Sequence, residues 1–159
     1  MATLDDVTGG CLCGRVRYRA SPEHREGYYC HCRMCQLGVG NTRAAFINLP
    51  QARVEWSGEP RTLYASSSFG RRGFCAHCGT PLSFEYVDSK NIDLTVGSRD
   101  DPGAFKPVSH FAVETRIAGW HVEDGLEGHR LDQSEAIVGR WKKAYGDDVV
   151  PGVEATRQS

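Results

Sequence analysis

The stretch Cys30-His31-Cys32-Arg33-Met34-Cys35 packs three cysteines and a histidine into six residues. Cys11 and Cys13 form a second close group, and Cys75 and Cys78 a third. At such spacing one turn of backbone can present two sulfurs to a single ion at roughly 2.3 Å. Soft thiolates in a tetrahedral array suit zinc, which needs no redox partner. The seven cysteines are an odd number, so complete intramolecular disulfide pairing is impossible.

The residue after each group sorts them. Cys13 is followed by Gly14 and Cys78 by Gly79, whereas Cys35 is followed by Gln36. Glycine there permits positive φ, so that backbone amides can turn back towards the sulfurs. Cys11, Cys13, Cys75 and Cys78 therefore pair as a closed four-thiolate site, tying the start of the chain to a distant hairpin. A tie over so long a loop restrains the unfolded chain strongly. Cys30, Cys32 and Cys35 are left either to recruit a histidine or to keep a position open. His31 and His77 lie inside cysteine groups, where their side chains would point away from an ion. His110, on the strand-like segment from Pro107 to Val113, is the better candidate, against the ordinary reading of a hydrogen-bonded core histidine. Three anionic sulfurs blunt an ion's power to ionise water and favour a soft fourth ligand. A substrate thiol fits, because coordination deprotonates it and holds a nucleophile in place.

The elements that must position these groups read mainly as strands. Arg15 to Arg19 alternates basic and apolar residues, as a half-buried strand does. Arg43 to Leu49, Arg53 to Trp56, Thr62 to Ala65, Leu82 to Tyr86, Asn91 to Val96 and Pro107 to Val113 are similar, with Gly- and Pro-containing turns between them. No strand–helix alternation suggests a parallel sheet, so antiparallel sheets are expected. One helix is expected near the C-terminus. Asp132-Gln133-Ser134-Glu135 offers a cap, then Ile137, Trp141, Ala144 and Tyr145 form a stripe, with Lys142, Lys143 and Gly146 closing it. The division expected is a zinc domain over 1–132, a packing helix of the same domain over 133–146, and a tail over 147–159.

Hydrophobic residues make up 40% and charged residues 25%, and the net charge is −1. This balance gives no reason to expect nucleic acid or an acidic membrane surface as a partner. No apolar run approaches the ~18 residues of a spanning helix, and MATLDDVTGG has no signal-like apolar core. A cytoplasmic location is expected, where disulfides are rare.

The ordered set GGCLCGRVRY, YCHCRMC, FCAHCGTPL, IDLTVGS and DPGAFKPVSH with a later Gly-Trp resembles the glutathione-dependent formaldehyde-activating enzyme family, whose domain is shared with centromere protein V. The resemblance runs from about Gly9 to about Asp132. It implies a mainly β, Mss4-like fold, also called a β-tent. It implies two zinc ions per chain: a structural one on Cys11, Cys13, Cys75 and Cys78, and a catalytic one on Cys30, Cys32 and Cys35. It implies a carbon–sulfur lyase that joins formaldehyde to glutathione as S-hydroxymethylglutathione. The expected partners are thus a small thiol and an aldehyde. Family members often carry basic residues just after the third cysteine of this group, where this chain has Gln36-Leu37.

Four arginines, Arg33, Arg43, Arg71 and Arg72, are candidates for a substrate carboxylate because a guanidinium fork suits that geometry, against the ordinary role of solvated surface residues. Trp56, Trp120 and Phe46 are expected in the core, and Met34 as filler between ligands. Two other readings fit the same residues: a binding module with both metals structural, and a redox- or metal-responsive protein acting through Cys30, Cys32 and Cys35.

Overall fold

A computed structural model of the chain describes residues 4–153, so the end of the expected tail lies outside the described residues. In chain order the strands and α-helices are β1 (Val7–Gly10), β2 (Val16–Ala20), β3 (Glu26–Cys30), α1 (Arg33–Val39), β4 (Ala44–Pro50), β5 (Val54–Gly58), β6 (Thr62–Ala65), β7 (Gly70–Phe74), β8 (Pro81–Tyr86), β9 (Asn91–Thr95), β10 (Lys106–Phe111), β11 (Glu127–His129) and α2 (Glu135–Tyr145). The chain is mainly β, as expected. A small sheet has the order β1-β2-β5, and a larger one the order β11-β10-β3-β4-β9-β8-β7-β6.

Alternation places the cores. In β2, Val16, Tyr18 and Ala20 are buried while Arg17 and Arg19 turn outwards. In β9, Ile92 and Leu94 pack with Val16, Tyr18 and Cys75 in a core between the two sheets. Asp93 between them points to the opposite face, towards a second core built on Phe46, Phe69, Phe84 and Trp141. The two cysteine groups belong to these two cores separately.

The antiparallel expectation holds except at one edge, where β10 runs parallel to both β3 and β11. A tight turn forces antiparallel pairing, but β10 follows β3 at long range and is free to join in the other sense. A short helix, not anticipated from the sequence, follows Cys32. The Cys32 sulfur accepts from the Cys35 amide at 3.3 Å, capping α1, and Gly40 ends it at φ 65°. That is why no glycine follows Cys35: the chain continues as helix.

Helix α2 forms with Glu135 in its first turn, Lys142 and Lys143 in its last, and Gly146 at φ 86° beyond it. Ser134 sits at the cap position without donating or accepting a side-chain cap bond. Ile137, Trp141, Ala144 and Tyr145 pack on the second core. One expected core residue does not go there: Trp120 is 75% exposed, because its short 3-10 turn runs over the surface.

Candidate metal centres

The sulfurs of Cys11, Cys13, Cys75 and Cys78 all lie within 4.8 Å of one another. Cys11 and Cys13 are 3.5 Å apart and Cys13 and Cys75 are 3.7 Å apart, far beyond a disulfide bond of about 2.05 Å. Gly14 and Gly79 take φ of 78° and 76°, and their amides donate to the carbonyls of Cys11 and Cys75. The Val16 amide donates to the Cys11 sulfur at 3.3 Å. Hydrogen bonds from the hydroxyl and amide of Thr80 pull the Cys78 thiol down to a pKa of about 5. Four free sulfurs, partly hydrogen-bonded and within reach of one another, fit a soft tetrahedral ion. His77 stays outside this group, 2.6 Å from Glu59 and 3.4 Å from Arg15.

Cys30, Cys32 and Cys35 also gather within 4.8 Å, all buried and free. They come from the end of β3, the cap of α1 and its first turn. Hydrogen bonds from Cys30 and Cys32 hold the Cys35 thiol well below its usual pKa. The Arg72 guanidinium, 3.6 Å from the Cys35 sulfur, adds to this. The same bonds push the Cys30 thiol up. A trio able to share negative charge beside a guanidinium fits a soft cation with three protein ligands.

No histidine joins this trio. His31 turns away from it, and its Nε2 lies 2.8 Å from Nδ1 of His110. His110 Nε2 lies 3.0 Å from both carboxylate oxygens of Asp124. A carboxylate only accepts, so His110 Nε2 carries the proton and His31 Nε2–H donates to His110 Nδ1. His121 completes a three-histidine group within 4.8 Å, but both nitrogens of His110 are already spent in this chain of bonds. Burial pushes His31 down to a pKa of about 4, so it is neutral. The His31 carbonyl accepts from the Gln36 amide and the Thr115 hydroxyl, each at 2.8 Å. Ala112, the one non-glycine residue with positive φ among those described, makes the turn that brings Thr115 there. His110 therefore braces the loop from behind instead of ligating, and Gln36 is a buried strut.

A cavity of about 360 Å³ opens beside the three sulfurs, between the larger sheet and α2. Its floor carries Asp93, whose Oδ1 accepts from the Tyr28 hydroxyl and the Asn48 amide, both at 3.0 Å. Burial raises the Asp93 carboxyl to a pKa of about 6. Met34, expected as filler, lines this cavity and a second one of about 430 Å³, which also shares Phe46 and Arg72. Of the four candidate arginines only Arg72 reaches the trio. Arg33 meets Gln36, Arg43 stacks 3.8 Å over the Tyr29 ring, and Arg71 pairs with Glu85. Neither Asp93 nor Asp124 is marked as a site residue by cysteine or histidine spacing. The single signal for Asp93 was a lone acid in the apolar stretch Ile92–Leu94.

Fold and site together define a mainly β protein built around two cysteine groups, each able to hold a metal ion. The family follows from comparison. Residues 6–115 match the glutathione-dependent formaldehyde-activating enzyme family, and the chain belongs to it. An uncharacterised lyase of Schizosaccharomyces pombe is 35% identical over 88 residues, 55% of this chain and 64% of that protein. The match thus spans less than two thirds of that relative. A crystal structure of a Rhodobacter sphaeroides protein covers 58% of this chain and 87% of its own, at 19% identity and a TM-score of 0.48.

Proposed function

We propose that this chain is a zinc-dependent carbon–sulfur lyase that adds a thiol, glutathione or a similar one, to an aldehyde. One observation carries the reading: three free cysteines gather in a cavity wall, apart from a group of four that is already complete. A zinc ion held by Cys30, Cys32 and Cys35 would supply a soft Lewis acid that keeps a substrate thiol ionised. Cys11, Cys13, Cys75 and Cys78 would hold a structural ion.

The remaining chemistry falls to the chain's own residues. Arg72 offsets the negative charge of the trio from 3.6 Å. The apolar walls exclude water and hold the aldehyde close to the thiolate, which supplies proximity. As the sulfur–carbon bond forms, the carbonyl π pair moves onto oxygen, which must take a proton. Asp93 supplies that proton, its pKa of about 6 leaving a protonated fraction near neutrality. In reverse it removes the hydroxyl proton and the carbon–sulfur bond breaks. A cytoplasmic location, where thiols stay reduced, suits seven free cysteines. Among the described residues no helix is long and apolar enough to cross a membrane.

Cobalt substitution tests the reading. Two metal ions per chain are expected, and adding glutathione should shift the cobalt–thiolate absorption of the three-cysteine site while the four-cysteine site is unmoved. An unchanged spectrum would sink the thiol-binding assignment.

A further inference from the structure

The cavity beside Cys30, Cys32 and Cys35 has room for an aldehyde of more than one carbon beside the sulfur of a bound thiol. Its volume is about 360 Å³, whereas a water molecule's share of liquid volume is only ~30 Å³. The walls are aromatic cages. Phe69 meets Trp141 at 5.7 Å between ring centroids, and Phe84 meets Tyr86 edge-on at 4.9 Å. Phe46 and Phe111 close the sides. Such rings favour edge and offset contacts with another ring.

The charges in the wall are few and already engaged. Arg72 is the one arginine there, and its guanidinium lies on the Cys35 sulfur and 4.8 Å over the Phe84 ring. The one carboxylate is Asp93, with Tyr28 and Asn48 both donating to Oδ1. Among the described residues Oδ2 has no protein donor, so it remains for a ligand. A neutral ring carrying one oxygen finds both an apolar surround and a hydrogen-bonding partner. His129, Leu131, Ile137 and Trp141, which also line the cavity, lie beyond the residues matched to the family.

We infer that the aldehyde taken by this site is a neutral aromatic one of the benzaldehyde type, with its oxygen towards Asp93, and that formaldehyde is a poor substitute. The inference rests on the lyase reading for its chemistry and on the cavity for its substrate class. The step balances without oxidant or reductant: the thiolate sulfur bonds to the carbonyl carbon, the π pair moves to oxygen, and oxygen takes the Asp93 proton.

The test uses the zinc-loaded full chain. Benzyl alcohol, which cannot form the adduct, should bind to it saturably in isothermal titration calorimetry. Ile137→Trp, which fills the cavity, should weaken that binding at least about tenfold. If that variant does not fold, Ser109→Leu on the opposite wall serves instead. With glutathione as the thiol, kcat/KM for benzaldehyde, divided by its uncatalysed rate, should exceed that for formaldehyde by roughly a hundredfold. Turnover of formaldehyde with no benzyl alcohol binding and no benzaldehyde turnover overturns the inference and leaves the lyase reading standing. Benzyl alcohol binding that Ile137→Trp abolishes, with neither aldehyde turned over, overturns the lyase reading and upholds an aromatic ligand for the cavity.

Discussion

Replacing Asp93 by asparagine should make the protein more stable at neutral pH and slow its chemistry. The side chain is buried, and burial raises its carboxyl to a pKa of about 6. In the unfolded chain an aspartate titrates near about 3.9. Between these values the folded state holds a proton that the unfolded state has released, so stability falls as pH rises. The whole shift of about two units corresponds to roughly 3 kcal/mol, and about half of it develops between pH 5 and pH 8. Asparagine keeps a carbonyl oxygen for the Tyr28 and Asn48 donors and cannot ionise. The difference in unfolding free energy between variant and wild type should therefore grow in the variant's favour by on the order of 1.5 kcal/mol across that range. Urea unfolding of both zinc-loaded proteins at each pH measures it, and metal loss common to both cancels in the difference. Addition of thiol to aldehyde should slow by roughly a hundredfold in the variant, the usual worth of a positioned proton donor. In the wild type that rate should decline as pH rises through about 6 as Asp93 loses its proton, and the variant should lack this decline. A pH-independent stability difference, together with an unchanged rate, would refute the placement of Asp93 as a buried proton donor.

Cys78→Ser should lose metal and cost the fold, whereas Cys32→Ser should keep one metal ion and a native circular dichroism spectrum yet lose activity. If both variants unfold alike, the division into structural and catalytic groups is wrong. His110→Ala leaves the buried His31 Nε2 and the Asp124 carboxylate without their partner, and should cost about 1–3 kcal/mol in urea unfolding. Trp141→Ala should cost about 3–5 kcal/mol by opening a void against Phe69. Trp120→Ala, at the surface, should stay within about 0.5 kcal/mol of wild type.

Local features were legible in the sequence because they depend on neighbours. Gly14 and Gly79 marked the closed knuckles, and both take the positive φ their position required. The stripe of Ile137, Trp141 and Tyr145 marked α2, alternation marked β2, and strand-like composition between turns marked β4 and β9. Helix α1 carries only one clear sequence signal, Gly40 as its stop, because its cap is a cysteine sulfur instead of a common capping residue. Long-range decisions were not legible. The strand pairing β3–β10 decides that His31 meets His110, so His110 braces the loop instead of ligating. The face on which β9 packs decides that Asp93 enters a cavity with Cys35, more than fifty residues away in the chain. Similarly, β7 carries Arg72 to that sulfur while the adjacent Arg71 goes to Glu85. Residue type and spacing determine which groups can act together on one ion, because a turn of backbone has a fixed reach. Tertiary packing alone decided which distant side chains surround them, because strand order and facing depend on burying the whole apolar surface at once.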